Sequence, residues 1–129
     1  MISHENGRLG ENIAAEFYEA NGYTIVCRNY RAGHNEIDII AENKHGIALA
    51  EVKTRTKSEL LKKYGSAKSA VNIPKQQRLI DAAQTYLREN NPLKKQPRMD
   101  VIEIYLTDEG KLLKLNYIRN AFGVRGDKH

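Results

Sequence analysis

The chain has 129 residues, 40% apolar and 29% charged, with a net charge of +5; that length allows one domain, with a core over about residues 7–122 and short termini. No apolar run approaches the ~18–20 residues that span a bilayer, and the opening residues lack the basic and apolar regions of a signal peptide, so no membrane partner is expected. A single cysteine, Cys27, suits a reducing compartment and predicts a cytoplasmic address.

Periodicity predicts an α/β domain in the order α-β-β-β-α-β-β. Leu9, Ile13, Ala14, Phe17 and Ala20 fall at helical spacing over residues 7–21, with Asn21-Gly22 as the stop. Residues 23–29 are β-branched and read as a strand. Residues 36–42 and 46–55 give two more around the turn Asn43-Lys44-His45-Gly46, which together make an antiparallel meander.

Residues 56–72 show no clear period and are expected to form a long loop. A second helix opens with Asn72 as N-cap and Pro74 in its first turn. Its apolar stripe is Leu79, Ala83, Tyr86 and Leu87. Residues 100–106 and 111–117 read as a hairpin around Thr107-Asp108-Glu109-Gly110.

Charge is unevenly spread. Residues 53–78 hold eight bases and one acid, a net +7, which leaves −2 for the rest of the chain. Such a concentration is either an electrostatic footprint for nucleic acid or a solvated lysine-rich loop.

Two predicted strands carry charges inside apolar runs: Glu36-Ile37-Asp38-Ile39-Ile40 and Ala50-Glu51-Val52-Lys53. Strict alternation puts Glu51 and Lys53 on one face, and Glu36 with Asp38 on one face. Charges on half-buried strands cost several kcal/mol unless they are paired or bind a metal. One reading is an ion pair of Lys53 with Glu51 or Asp38. The sharper one is a hard-cation site, with carboxylates from Asp38 and Glu51 and the Val52 carbonyl as a further oxygen. Lys53 would then orient a nucleophile or stabilise developing charge. The histidines lie in termini and turns without ligand spacing, and no Ser/His/Asp signature or glycine-rich phosphate loop is present.

Gly10-Glu11, Ala14-Ala15, Gly22-Tyr23, Arg28-Asn29 with Arg31, and Glu36-Ile37-Asp38 form an ordered series. It continues through Glu51-Val52-Lys53-Thr54-Arg55, Gly65, Lys75, Ala82-Ala83, Tyr86-Leu87 and Arg98-Met99-Asp100-Val101. This series resembles the small, uncharacterised YraN-like bacterial family, placed in the PD-(D/E)xK nuclease superfamily near Holliday-junction resolvases. The resemblance implies a restriction-endonuclease-like core, a mixed central sheet flanked by helices. It also implies Mg²⁺ or Mn²⁺ at the carboxylates, and an active site of Glu11, Asp38, Glu51 and Lys53. Gly10 would let the first helix approach the sheet closely. Where the family has Gly before its Glu-Ile-Asp, this chain has Asn35 after Gly33-His34, a residue that tolerates left-handed backbone.

Around that site, Arg31, Arg55 and Lys75 are candidate phosphate contacts or solvated side chains. Glu36 either supports the acids or pairs with Arg28 or Arg31. Tyr30 and Tyr64 are candidates for stacking on unpaired bases, or for the core. Two functions follow: a metal-dependent endonuclease acting on DNA, structured or branched, or a non-catalytic nucleic-acid- or partner-binding adaptor on the same fold. Resolvase relatives are dimers because a four-way junction has two-fold symmetry, so a homodimer is expected with the first.

Overall fold

A computed structural model describes residues 4–62 and 71–123. Its elements are α1 (His4–Ala20), β1 (Thr24–Ala32), β2 (Asn35–Glu42), β3 (Gly46–Thr56), α2 (Lys57–Leu61), α3 (Ile73–Asn90), β4 (Gln96–Leu106) and β5 (Leu112–Phe122). The strands form one five-stranded sheet in the order β1-β2-β3-β4-β5. All neighbours are antiparallel except β3 and β4, which run parallel. Parallel neighbours need a crossover, and α3 supplies it. The expected α/β class, the mixed sheet and the meander are all present, and α2 is added to the expected order.

Helices cover the two faces. Ala14, Ala15 and Tyr18 of α1 pack with Ile39, Ala41, Ala48, Ala50, Ile102 and Ile104. Leu79, Ala82, Ala83 and Tyr86 of α3 pack with Ile37, Ile40, Ile47, Leu49, Met99 and Val101. The buried stripe of α1 is centred on Gly10, Ala14 and Tyr18, so it lies one position beyond the predicted Leu9/Ile13/Phe17 line, and Ala20 is exposed. α3 begins as expected, with the Asn72 side chain accepting from Lys75 N at 2.9 Å and Pro74 in the first turn. Gly110, at φ 85°, closes the β4–β5 hairpin.

Several predicted boundaries move. β1 runs on to Ala32, β4 starts at Gln96 and β5 continues to Phe122. The expected loop over 56–72 opens with α2 instead. There Thr56 accepts from the Glu59 amide while the Glu59 carboxylate accepts from the Thr56 amide at 2.7 Å, satisfying donors at both ends of the turn. Tyr64 and Gly65 fall outside the described residues. The left-handed residue of the β1–β2 turn is Gly33, at φ 65°, whereas Asn35 already lies in β2. Glycine takes that conformation without a Cβ clash, so the residue at 35 is free to pair as strand.

Candidate active site

The meander comes apart at one point. The β2–β3 ladder runs from Glu42↔Ile47 to Ile39↔Ala50 and stops, while β2 stays paired with β1 as far as Asn35. Asp38 sits at this fork. Its Oδ2 accepts from Val52 N at 2.8 Å, standing in for the backbone carbonyl that a continuing ladder would have offered. In an antiparallel strand the N–H and C=O of one residue point to the same edge. The Val52 carbonyl therefore faces the fork as well.

Glu51 lies beside Asp38 and is only 5% exposed. As alternation along β3 required, Ala50 and Val52 pack on the α1 side, and Glu51 turns to the α3 side. There its Oε2 lies 3.6 Å from both Lys53 Nζ and Lys75 Nζ. The alternation expected of β2 fails: Ile39 packs under α1 but Ile37 under α3. Glu36 and Asp38 still line one cavity on the α3 side, as expected.

Burial pushes the Asp38 carboxyl up to about 8, and the negative charge of Glu51 adds to the effect. The Val52 amide pulls the other way, and Glu11 contributes a smaller upward push. Half-buried beside a second carboxylate, Asp38 does not ionise cheaply, so near neutral pH it retains its proton.

Cavities open on both sides of the fork. On the α1 side a space of about 370 Å³ is lined by Arg8, Glu11, Asp38, Glu51 and Val52, among others. On the α3 side one of about 220 Å³ is lined by Asn35, Glu36, Asp38, Glu51, Lys75 and Arg78, among others. Glu11 reaches the first because α1 lies close on β3: a Cβ on Gly10 would collide with the Thr54 hydroxyl. Arg28 NH2 lies 3.6 Å from Glu11 Oε1.

The structure thus gathers Glu11, Asp38, Glu51, Val52, Lys53 and Lys75, with Glu36 at the rim. Arg31 is exposed on β1, in register with Glu36. Arg55 is drawn elsewhere. Its Nε donates to the buried Glu103 carboxylate at 2.8 Å and NH1 lies 3.4 Å from Glu59, so it holds β3 to β4 and α2. Tyr30 packs edge-on against Tyr86, with centroids 5.3 Å apart.

Sequence reasoning passed over Arg8 and took in Arg78 only as part of the basic stretch 53–78, since nothing in their spacing ties them to the acids. It also passed over two buried acids of β4. Asp100, fully buried, accepts from Tyr18 and Tyr117 hydroxyls at 2.7 Å, Asn120 N at 2.8 Å and Arg98 Nε at 3.1 Å. Glu103 accepts from Arg55, Tyr105 and Asn116. Both stand as acids within an apolar run, the same signal that marked Asp38 and Glu51. Filled donor sets make these two structural.

Among the described residues, no three His, Cys, Asp or Glu side chains come together as a metal-binding group. The oxygens at the fork are two carboxylates and one carbonyl. That donor chemistry fits a hard dication such as Mg²⁺ or Mn²⁺, which takes its remaining ligands from water or substrate oxygens.

Fold and site define an α/β protein whose acid–lysine cluster lies where two strands of a five-stranded mixed sheet part. The chain belongs to the uncharacterised protein family UPF0102, whose family model matches residues 10–104, in keeping with the YraN-like resemblance. It is 42% identical over 117 residues to a UPF0102 protein of Caldanaerobacter subterraneus subsp. tengcongensis, covering 90% of this chain and 93% of the relative. A UPF0102 protein of Alkaliphilus metalliredigens is 40% identical over 121 residues, 94% of this chain and all of the relative. One from Chloroherpeton thalassium is 41% identical over 116 residues, 90% and 81% of the two chains. No helix among the described residues is long and apolar enough to cross a membrane.

Proposed function

We propose that this protein is a metal-dependent endonuclease that hydrolyses DNA phosphodiester bonds, with branched or structured DNA as its substrate class. The observation that carries the reading is the half-buried Asp38 beside the buried Glu51, with Asp38 Oδ2 on the Val52 amide and Lys53 Nζ 3.6 Å from Glu51 Oε2. Structural acids in this chain have filled donor sets, as Asp100 and Glu103 do, whereas this pair opens to cavities on both sides. Asp38, Glu51 and the Val52 carbonyl would hold Mg²⁺ or Mn²⁺. The cation would polarise the scissile phosphate and lower the pKa of the attacking water.

The protein's own groups supply the rest. Lys53 places a fixed positive charge where negative charge develops on the phosphate. Glu11, facing the fork from α1, is positioned to take a proton from water in the larger cavity. Lys75, with Arg78 and Arg31, offers charge to the flanking phosphates, a contribution that weakens with salt. A homodimer would present two such sites to a two-fold symmetric junction.

The second reading is a non-catalytic adaptor that binds nucleic acid or a partner. It is favoured by one feature: Lys53 and Lys75 both already face Glu51, partly neutralising it without a cation. Cleavage of end-labelled duplex, single-stranded, flap and four-way-junction DNA in Mg²⁺, Mn²⁺ or EDTA separates the two. The nuclease reading requires cutting that disappears in EDTA, in Asp38→Asn and in Lys53→Ala, with DNA binding retained in Asp38→Asn. Binding without cutting on every substrate supports the adaptor.

A further inference from the structure

Asn29 adopts the left-handed conformation, at φ 56°, in the middle of β1. Such a value inside a strand interrupts the pleat, because the residues before and after it no longer alternate about a common plane. Three sets of contacts register the break. On β1, Arg28 reaches Glu11 on the α1 side, whereas Tyr30, two residues on, packs against Tyr86 on the α3 side. On β2, Ile39 belongs to the α1-side core and Ile37 to the α3-side core. In the ladder between them Arg28 pairs with Ile39 and Tyr30 with Ile37, and the intervening couple, Asn29 and Asp38, is skipped. In a regular strand each of these pairs of residues, two apart, would share a face.

We infer that Asn29 is the positioning residue for Asp38. Its left-handed backbone forces both strands to change face at that level, and the change turns the Asp38 side chain out of both cores and into the fork. There it meets the Val52 amide at 2.8 Å. An aspartate on an unbroken β2 would point into one core or the other and could not bridge to β3. Asparagine suits the post because it accepts left-handed backbone more readily than other residues with a Cβ. The inference deepens the nuclease reading, since it gives one of the proposed catalytic acids its placement, and it does so from an edge strand.

The test reads Asp38 through the proton it accepts. Amide exchange by NMR at Val52 is compared with that at Ala48 and Ala50, which lie on the same edge of β3 but face the intact ladder, in wild type, Asn29→Gly, Asn29→Ala and Asn29→Val. Glycine tolerates the left-handed conformation, alanine resists it and valine resists it most. The expected result is Val52 protection within about two-fold of wild type in Asn29→Gly and at least ten-fold lower in Asn29→Val. Asn29→Ala is expected between them, with Ala48 and Ala50 unchanged throughout. Asn29→Ala carries the comparison if the valine variant does not fold. Mn²⁺ affinity, measured on the same proteins, is expected to follow the Val52 order. Equal Val52 protection in all folded variants, or loss in the glycine variant, overturns the inference. An exchange pattern as expected in a protein that binds no Mn²⁺ overturns the cation reading and leaves the positioning role standing.

Discussion

Replacing Asp38 by asparagine is expected to stabilise the cation-free protein near neutral pH while removing its proposed activity. The Asp38 carboxyl titrates near 8 in the folded chain against 3.8 as its ordinary value. Between those values the folded state holds a proton that the unfolded state has released. Stability is therefore full below about pH 4, falls as pH rises, and reaches its floor above about pH 8. At pH 7 about three units have been traversed, a ceiling of about 4 kcal/mol at 1.36 kcal/mol per unit. Water entering through the two cavities screens part of this, leaving a cost of about 1–2 kcal/mol. The amide introduced by Asp38→Asn would not titrate, would keep an oxygen for the Val52 amide, and would offer N–H to Glu51. For a chain of this length that gain raises Tm by about 3–8 °C. Thermal melts in EDTA from pH 4.5 to 8.5 give the comparison. The variant is expected to match wild type at the acid end and to exceed it increasingly toward pH 8.5. Added Mn²⁺ should then lift wild type alone. A variant less stable than wild type at pH 8, or a difference that ignores pH, would refute the reasoning.

Gly10→Ala is expected to cost about 2 kcal/mol by forcing α1 off β3, and Thr54→Ala in the same chain should recover most of it, because the hydroxyl is the obstacle; denaturant midpoints measure both. Arg55→Met leaves the buried Glu103 charge short of its ion-pair partner and should cost about 3 kcal/mol. Lys53→Met, where the lysine side chain is about one-third exposed, should cost under about 1 kcal/mol, so the two melts should rank clearly. For DNA binding, Lys75→Gln and Arg78→Gln should each lessen the salt dependence by about one unit of log–log slope. Unchanged slopes would remove these residues from the nucleic-acid surface.

What could be read in advance follows from which features are local. The cap at Asn72, the stop at Gly22, the turn at Gly110 and the acids inside apolar runs are set by residues adjacent in sequence. The fork is not: it depends on a left-handed residue in β1 acting across the sheet on β2, where Ile37 and Ile39 pack into different cores. Arg55 reads as a phosphate contact because its charge is visible in sequence, whereas its partner Glu103 lies on another strand, beyond the crossover. The Thr56–Glu59 capping box is visible as a pattern, but a helix of five residues leaves no apolar period to accompany it.

The crossover also sets an order of assembly. Pairing within the meander joins residues close in sequence, such as Glu42↔Ile47, so β1, β2 and β3 lose little chain entropy in meeting. The parallel ladder joins distant ones, such as Glu51↔Val101, and its loop closure is costlier. Asp38 and Glu51 therefore meet before α3 docks, and Lys75 reaches Glu51 only when the crossover closes. The late step of folding is the one that brings the second counter-charge to the acids. Separately, burying Asp38 disfavours its charged form, so refolding should speed up as pH falls and Asp38 arrives already protonated.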